Sequence, residues 1–169
     1  MQKAAFLEKS ISKQFKNGMR CMASSVSIVA TNYNGERRGL TATAVCSVTA
    51  DPPRLLICIN RGSTAWSAID KSGAFTVNVL SGAQEKLAKA FADMIPEISR
   101  EERFSIGEWD HMETGAPALK GALVTFDCRV EKAITESTHD IFIANVVAVR
   151  QNDEGAQLLY REGDFQIIR

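Results

Sequence analysis

The residues of this chain that are best suited to chemistry lie between positions 39 and 64. Residues 39–49 read Gly-Leu-Thr-Ala-Thr-Ala-Val-Cys-Ser-Val-Thr. A strand that fills a core normally carries large apolar side chains at alternate positions, whereas this stretch is mostly small residues and hydroxyls. It therefore leaves room beside its backbone, where a flat ligand can lie against N–H and C=O groups.

A second stretch supplies donors for an anion. The apolar run at 55–59 leads into Asn60-Arg61-Gly62-Ser63-Thr64, which carries amide, guanidinium and hydroxyl donors. Hydroxyls and backbone amides at the start of a helix favour an anion, although Ser63 or Thr64 can also simply cap a turn over residues 65–69. A flat surface followed by an anion loop meets the needs of flavin mononucleotide (FMN).

The elements that must position these residues are mostly strands. Alternation and turn residues predict strands over residues 26–31, 40–48, 55–59, 74–80, 124–133, 141–149, 158–160 and 165–168. Helical spacing predicts an amphipathic N-terminal helix, a helical turn at 66–69 and a helix over 83–94, while residues 95–121 read as irregular. The apolar residues of the first helix are Phe6, Leu7, Ile11, Phe15 and Met19.

Many strands, few helices and no alternating βαβ pattern predict a mainly β fold, a β-barrel with peripheral helices. The length of 169 residues predicts a single domain spanning residues 1–169.

Composition excludes several classes of protein. Lysine plus arginine equals aspartate plus glutamate at 20 each, so no general basic field supports nucleic-acid binding. No apolar run is long enough to span a bilayer and no signal-peptide core begins the chain, so we expect a cytoplasmic protein without membrane contact. The four cysteines form no Cys-x-x-Cys pair, which predicts no metal site and no disulfide framework; Cys46 and Cys58 read as small core residues without a redox role.

Common catalytic motifs are missing from the sequence. It has no Gly-x-Gly-x-x-Gly dinucleotide fingerprint, phosphate-binding loop ending in Gly-Lys-Ser/Thr, His-Glu-x-x-His or Gly-x-Ser-x-Gly. Only two histidines, His111 and His139, are present, which limits acid–base schemes.

Several motifs in collinear order together resemble the short-chain flavin reductase family. They are the 39–49 stretch with Pro52-Pro53, Asn60 and Ser63; then Val77-Asn-Val-Leu80, Glu101-Glu-Arg-Phe-Ser105, Leu119-Lys-Gly121, Thr138-His139 and Leu159-Tyr160. Within the family the likeness is greatest to reductase components of 4-hydroxyphenylacetate 3-monooxygenases. Two motifs depart from the family pattern: Ser137-Thr138 replaces Gly-Asp before His139, and Asn145 replaces a glutamate.

The resemblance implies a split β-barrel homodimer that binds FMN or FAD and oxidises NADH or NADPH. Reduced flavin then passes to a separate monooxygenase. The family places residues against the flavin ring, its phosphate or the nicotinamide, and in this sequence these cofactor-binding positions are Thr41, Ala42, Thr43, Ala44, Cys46, Ser47, Val48, Asn60, Ser63, Thr64, Phe91, Arg103 and Phe104. For Phe91, the pattern slightly favours the alternative of a core residue on an amphipathic helix.

His139 is the residue that the resemblance places nearest the chemistry. Hydride transfer from nicotinamide C4 to flavin N5 needs no protein base, because the cofactors carry the reaction and the protein aligns them. We therefore expect His139 to position the nicotinamide or to supply a proton.

Two other functions fit the same predicted barrel. One is a non-catalytic flavin-binding protein. The other is an FMN oxidase of the pyridoxamine-phosphate type, which would need basic residues gathered for a substrate phosphate, and the sequence shows no such cluster.

Overall fold

The computed structural model describes residues 2–152 and 154–168 of the chain. The helices are α1 (Gln2–Arg20), α2 (Thr64–Ser72) and α3 (Glu85–Phe91), with short 3-10 turns at Gly82–Gln84 and Glu102–Ser105. The strands are β1 (Ser24–Ser25), β2 (Ser27–Tyr33), β3 (Glu36–Ala42), β4 (Val45–Ala50), β5 (Pro53–Asn60), β6 (Ala74–Val79), β7 (Trp109–His111), β8 (Pro117–Leu119), β9 (Val124–Glu136), β10 (His139–Gln151), β11 (Gln157–Arg161) and β12 (Asp164–Ile168).

Seven strands form one antiparallel sheet in the order β3-β2-β6-β9-β10-β5-β4. The two outermost strands, β3 and β4, are consecutive in the chain, and only Thr43 and Ala44 separate them. Consecutive Cα atoms lie about 3.8 Å apart, so this link bridges at most about 11 Å. The outer strands of a flat sheet of seven would lie about 29 Å apart. The sheet must therefore curl round until its two edges approach one another, which is the split-barrel arrangement.

Apolar side chains fill the molecule on both faces of strand β2, because successive residues of a strand point to opposite sides. Val29 packs inside the curled sheet with Ile57, Ile59, Phe75 and Phe142 among others. Its neighbours Ile28 and Ala30 face a second core with Leu80, Leu87, Phe91, Phe104 and Leu119. Burial of both faces explains the apolar run Ile28-Val29-Ala30 within β2.

Asn78 is a buried polar residue that ties three strands together. Its side chain donates to the carbonyl of Ile28 at 3.0 Å, and its Oδ1 accepts from the amide of Leu119 at 2.8 Å and from Thr125 Oγ1 at 3.1 Å. Asn78 is fully buried, so these bonds satisfy groups that would otherwise be costly to bury. The asparagine of the Val-Asn-Val-Leu motif thus has a structural role.

The predicted fold class is confirmed, as are the N-terminal helix and most strands. One element prediction is wrong: residues 40–48 do not form one strand but end β3 and begin β4, with a break at Thr43 and Ala44. The helix predicted over 83–94 is shorter, since a 3-10 turn precedes α3 and α3 ends at Phe91. Residues 95–121 contain a 3-10 turn and the small β7–β8 hairpin.

Candidate flavin site at the split of the barrel

The split between β3 and β4 offers backbone groups to a ligand. Both are terminal strands of the sheet, so each has one side without a strand partner in the described part of the chain. Unpaired strand edges present rows of N–H and C=O groups. These groups suit the polar edge of a flat heterocycle, as the small side chains of this stretch predicted.

The side chains around the linking segment, which is defined here as Thr43 and Ala44 between β3 and β4, leave this edge open. Thr43 and Ala44 are exposed, while Ala42 is buried. Thr41 is only half buried, and its hydroxyl donates to the carbonyl of Ala88 at 2.7 Å. Thr41 therefore ties β3 to α3, and its hydroxyl is engaged by the fold.

Two cavities border residues that the sequence predicted to bind the cofactor. One, of about 420 Å³, is lined by Cys46, Ser47 and Val48 of β4 together with Phe126, Val146 and Val149 of β9 and β10. A second of about 220 Å³ includes Thr43, Met19 and Tyr160. Thr43 thus borders the smaller cavity, and Cys46, Ser47 and Val48 border the larger one along β4.

Cys46 is not the core residue that the sequence indicated. Its side chain is exposed on the edge strand β4, and Cys58 on the neighbouring strand β5 is half buried. Cys128 is the buried cysteine, where burial and then the nearby Asp127 carboxylate raise the pKa of the thiol to about 12.

The loop of residues 60–64, here called the 60–64 loop, is preorganised by its own hydrogen bonds. Asn60 Oδ1 accepts from the amide of Gly62 at 2.7 Å. Ser63 is the N-cap of α2 and accepts from the amide of Trp66 at 3.1 Å. Thr64 is the exposed first residue of the helix and borders a cavity of about 130 Å³ with Arg38 and Lys71. The loop therefore presents the Thr64 hydroxyl and the start of α2, while Ser63 holds the helix.

Strand pairing brings His139 beside this loop. Strand β10 pairs with β5 so that His139 lies opposite Asn60, and Ile141 opposite Cys58. Cys58 in turn donates its amide to the carbonyl of Ala44 at 3.1 Å. His139 is half buried, and its Nδ1 lies 2.9 Å from the Thr138 hydroxyl. The structure thus gathers the linking segment, the 60–64 loop and His139 on neighbouring strands.

Three other predicted residues lie apart, behind β3. Phe91, Arg103 and Phe104 are 2%, 3% and 4% exposed. The Phe91 and Phe104 rings meet edge to face at 4.9 Å, and Arg103 stacks over Phe91 at 5.5 Å. This burial favours the core role that the sequence also allowed for Phe91.

Asn145, the departure from the family glutamate, lies within a polar chain on β10. Arg54 Nε donates to Asn145 Oδ1 at 2.8 Å, and Asn145 Nδ2 donates to Glu131 at 2.7 Å. A carboxylate is therefore still present here, but it comes from β9.

Comparison with known proteins identifies the family, since a family model described as "Flavin reductase like domain" matches residues 19–169. The chain belongs to the flavin reductase-like domain family. It is 41% identical over 154 residues to FMN reductase (NADH) RutF of Escherichia coli (strain K12 / DH10B), covering 91% of this chain and 92% of that protein. It is also 41% identical over 154 residues to FMN reductase (NADH) RutF 2 of Methylorubrum extorquens (strain PA1), covering 91% and 88%.

Solved structures of the family share the fold. A candidate flavin reductase from Haemophilus somnus 129pt superposes with a TM-score of 0.88 at 39% identity, covering 92% of this chain and 98% of that one. NADH:FAD oxidoreductase SgcE6 of Streptomyces globisporus C-1027, in complex with NAD and FAD fragments, gives a TM-score of 0.83 at 27% identity, covering 92% and 91%. The finer likeness to 4-hydroxyphenylacetate reductases stays a prediction.

Sequence reasoning missed one charged residue beside the site. Asp140 is 4% exposed, and its Oδ2 accepts from the indole N–H of Trp66 at 2.7 Å. The sequence could have indicated this burial. Asp140 lies two and four residues before the inward-facing Phe142 and Ala144 of β10, and alternate residues of a strand face the same side. Among the described residues, no helix is long and apolar enough to cross a membrane, and no cluster of potential metal ligands occurs.

Proposed function

We propose that this protein is an NADH-dependent flavin reductase that reduces FMN as a diffusible substrate. The single observation that carries this proposal is the barrel split at Thr43 and Ala44, with open strand edges, small exposed side chains and an adjoining anion loop. The names of the RutF relatives support FMN and NADH as the preferred pair.

The residues of the site bind and orient two substrates. When both are bound, hydride passes from the nicotinamide to the flavin, which is chemistry that the cofactors supply. The edges of β3 and β4 hold the polar side of the flavin ring, and the 60–64 loop holds its phosphate. His139 positions the nicotinamide on the adjoining strand. Because the linking segment is exposed, we expect affinity for flavin near micromolar, about −8 kcal/mol, which permits release after reduction.

Three further assignments belong to the same proposal. We expect a homodimer, because α1 leaves Ile11, Phe15 and Met19 at 64%, 65% and 47% exposure. We expect reduced flavin to pass to a separate monooxygenase. A similar structure at 26% identity, BorF, is the flavin reductase component of a bacterial two-component tryptophan halogenase, which supports a partner enzyme of this kind. Cytoplasmic location and a single domain over residues 1–169 remain predictions.

Steady-state oxidation of NADH and NADPH with riboflavin, FMN and FAD tests the proposal. We expect oxidation of NADH to require added flavin and to be fastest with FMN. A protein that binds flavin but consumes no NADH would be a flavin-binding protein without reductase activity. NADH oxidation that is unchanged by added flavin, in a protein that carries none, would also contradict the proposal.

A further inference from the structure

A buried carboxylate with an unsatisfied oxygen lies directly behind the 60–64 loop. Asp140 projects into the curled sheet on the same side as Phe142 and Ala144, and it is 4% exposed. Its Oδ2 accepts from Trp66, but its Oδ1 has no hydrogen-bond partner in the described part of the chain. A buried carboxylate is costly unless it is paired and hydrogen-bonded, so the free oxygen calls for an explanation.

The nearest cation to the free oxygen is Arg61 of the 60–64 loop. Its Nε lies 3.8 Å from Asp140 Oδ1, and its guanidinium stacks over the Trp66 ring at 5.4 Å from the centroid. The Arg61 amide also donates to the carbonyl of Thr138 at 2.9 Å, which fixes its backbone to the turn before β10. Asp140 thus contacts Trp66 directly and approaches the side of Arg61 that carries Nε.

The other donors of Arg61 are on Nη1 and Nη2. No hydrogen bond or ion pair to Nη1 or Nη2 occurs among the described residues, and the side chain is 47% exposed. The five N–H donors of a guanidinium lie in one fixed plane. When a carboxylate accepts from Nε, the N–H groups of Nη1 and Nη2 are therefore still available to bind a second oxyanion.

We propose that Asp140 is a positioning residue that acts through Arg61 and gives the flavin site its preference for a phosphorylated flavin. This inference rests on the proposed function. Asp140 orients Nε, Trp66 supports the guanidinium plane, and the Nη groups meet the phosphate. The 3.8 Å separation shortens to a hydrogen bond when the phosphate is bound, which satisfies the free oxygen of Asp140.

The sign of the expected effect separates this role from simple electrostatics. A carboxylate close to a phosphate repels it, so neutralising Asp140 alone would strengthen FMN binding. If the carboxylate acts by holding Arg61, neutralising it weakens FMN binding instead. Riboflavin lacks the phosphate, so its affinity reports the ring site alone.

The test is a double-mutant cycle on FMN and riboflavin dissociation constants, measured by flavin fluorescence with the full chain. In Asp140→Asn, the amide keeps an acceptor for Trp66 but removes the charge. We expect FMN binding to weaken roughly fivefold to tenfold, the loss of one oriented charge-assisted contact, while riboflavin changes less than about twofold. In an Arg61→Gln background, Asp140→Asn should have no further effect, because coupled residues are not additive.

The matched control is Asp127→Asn. Asp127 is another fully buried carboxylate, on the neighbouring strand β9, and it accepts from the amide of Thr114 at 2.8 Å. This variant reports what loss of a buried carboxylate does to folding, and it should leave the ratio of the two dissociation constants unchanged.

Several results would overturn the inference. They are tighter FMN binding in Asp140→Asn, equal losses for FMN and riboflavin, or additive losses in the double variant. If Asp140→Asn does not fold, Arg61→Lys tests the proposal instead, because lysine keeps the positive charge but lacks the guanidinium Nε. Unchanged FMN affinity in Arg61→Lys would contradict the proposal. A wild type that reduces both flavins and binds them equally would refute this inference alone, whereas one that binds neither would refute the proposed function as well.

Discussion

His139 combines a position at the ligand site with a side chain that the fold barely uses. It begins β10 opposite Asn60, is half buried, and its hydrogen bond is to the adjacent Thr138. A lone histidine at the edge of a strand can also be purely structural. Its limited burial indicates that the side chain contributes little to stability.

Replacing His139 with alanine should therefore affect the reaction more than the fold. We expect the KM for NADH to rise, or flavin reduction to slow, by about tenfold, less than the loss of an acid–base residue usually causes. Stopped-flow reduction and a thermal melt on the same sample measure both effects. His111→Ala, at the exposed end of β7, is the control. Normal reduction with a lowered Tm in the His139 variant would show that His139 is structural.

Ser63 and Thr64 have adjacent positions but different roles. Ser63 accepts from the Trp66 amide as the N-cap of α2, whereas Thr64 is exposed at the first turn. The two residues should therefore separate stability from phosphate binding.

Ser63→Ala should lower stability by about 1 kcal/mol through loss of the cap, or about 2–4 °C in Tm for a chain of this size. Thr64→Val keeps the branched shape and should leave Tm nearly unchanged. This variant should weaken FMN binding about tenfold, as expected for a lost hydrogen bond to a charged group. Riboflavin binding should not change. Calorimetry measures the Tm of both variants, and flavin titration measures their affinities for FMN and riboflavin. Equal effects of Thr64→Val on the two affinities would mean that the Thr64 hydroxyl does not bind phosphate.

At the scale of elements, an ion pair anchors the segment that follows α3. Arg103, itself 3% exposed, hydrogen-bonds to Asp93, and Arg100 donates to the same carboxylate at 3.2 Å. Desolvation raises the pKa of Asp93, but the hydrogen bonds from Arg103 and Arg100 outweigh it, so the pKa is lowered overall. Arg103 also packs on Phe91, so this pair links the segment to the second core.

The lowered pKa makes part of the stability dependent on pH. A carboxyl whose folded-state pKa is below its unfolded value of about 3.9 stabilises the fold above that value, and the contribution is lost as pH falls through the folded-state pKa. Asp93→Asn should therefore remove part of the loss of stability that occurs as the pH falls below about 4. Asp93 has a φ of +56°, which asparagine tolerates, so the backbone is preserved.

Urea unfolding of both proteins from pH 6 downward measures this difference. Glu102 is the internal reference, because hydrogen bonds from Ser99 also lower its pKa. Glu102 is unchanged in both proteins, so the difference between the curves isolates Asp93. Parallel curves throughout would contradict a stabilising role for the Asp93 pair.

At the scale of the whole molecule, apolar surface remains uncovered. Residues 11–20 of α1 are exposed throughout, and Val48, Val147 and Val149 on the outer face of the sheet are 42%, 41% and 54% exposed. An amphipathic helix gains most of its stability from packing its apolar face. A second copy of the chain is the partner that we expect to cover α1.

Light scattering at micromolar concentration should therefore give twice the monomer mass. Phe15→Lys places a charge on the apolar face of α1 and should shift the mass toward the monomer. Asn17→Lys adds the same charge about 160° away around the helix, since each residue advances about 100°, and should leave the dimer intact. A monomeric wild type, or equal dissociation by both variants, would contradict this assignment of the interface.

Local patterns in the sequence were enough for most elements. Apolar residues and the turn residues between them predicted the strands around Val29, Val77 and Phe142. Such signals depend on neighbours in sequence, so they are readable without the fold. The small residues of 39–49 likewise indicated a surface for a flat ligand. The break at Thr43 and Ala44 was not predicted, because no local sequence feature marks the point where the chain passes from one edge of the sheet to the other.

Only the tertiary structure decided which residues meet at the site. Strand order placed β3 and β4 at opposite edges and made Thr43 and Ala44 the closing link. Pairing of β5 with β10 brought His139 and Asp140 to the 60–64 loop across about 80 residues of chain. The physical reason is that a strand's partners, and the face it buries, depend on contacts between distant segments. The sequence alone determined what kind of surface this chain could build, and long-range pairing determined where that surface is and which charges support it.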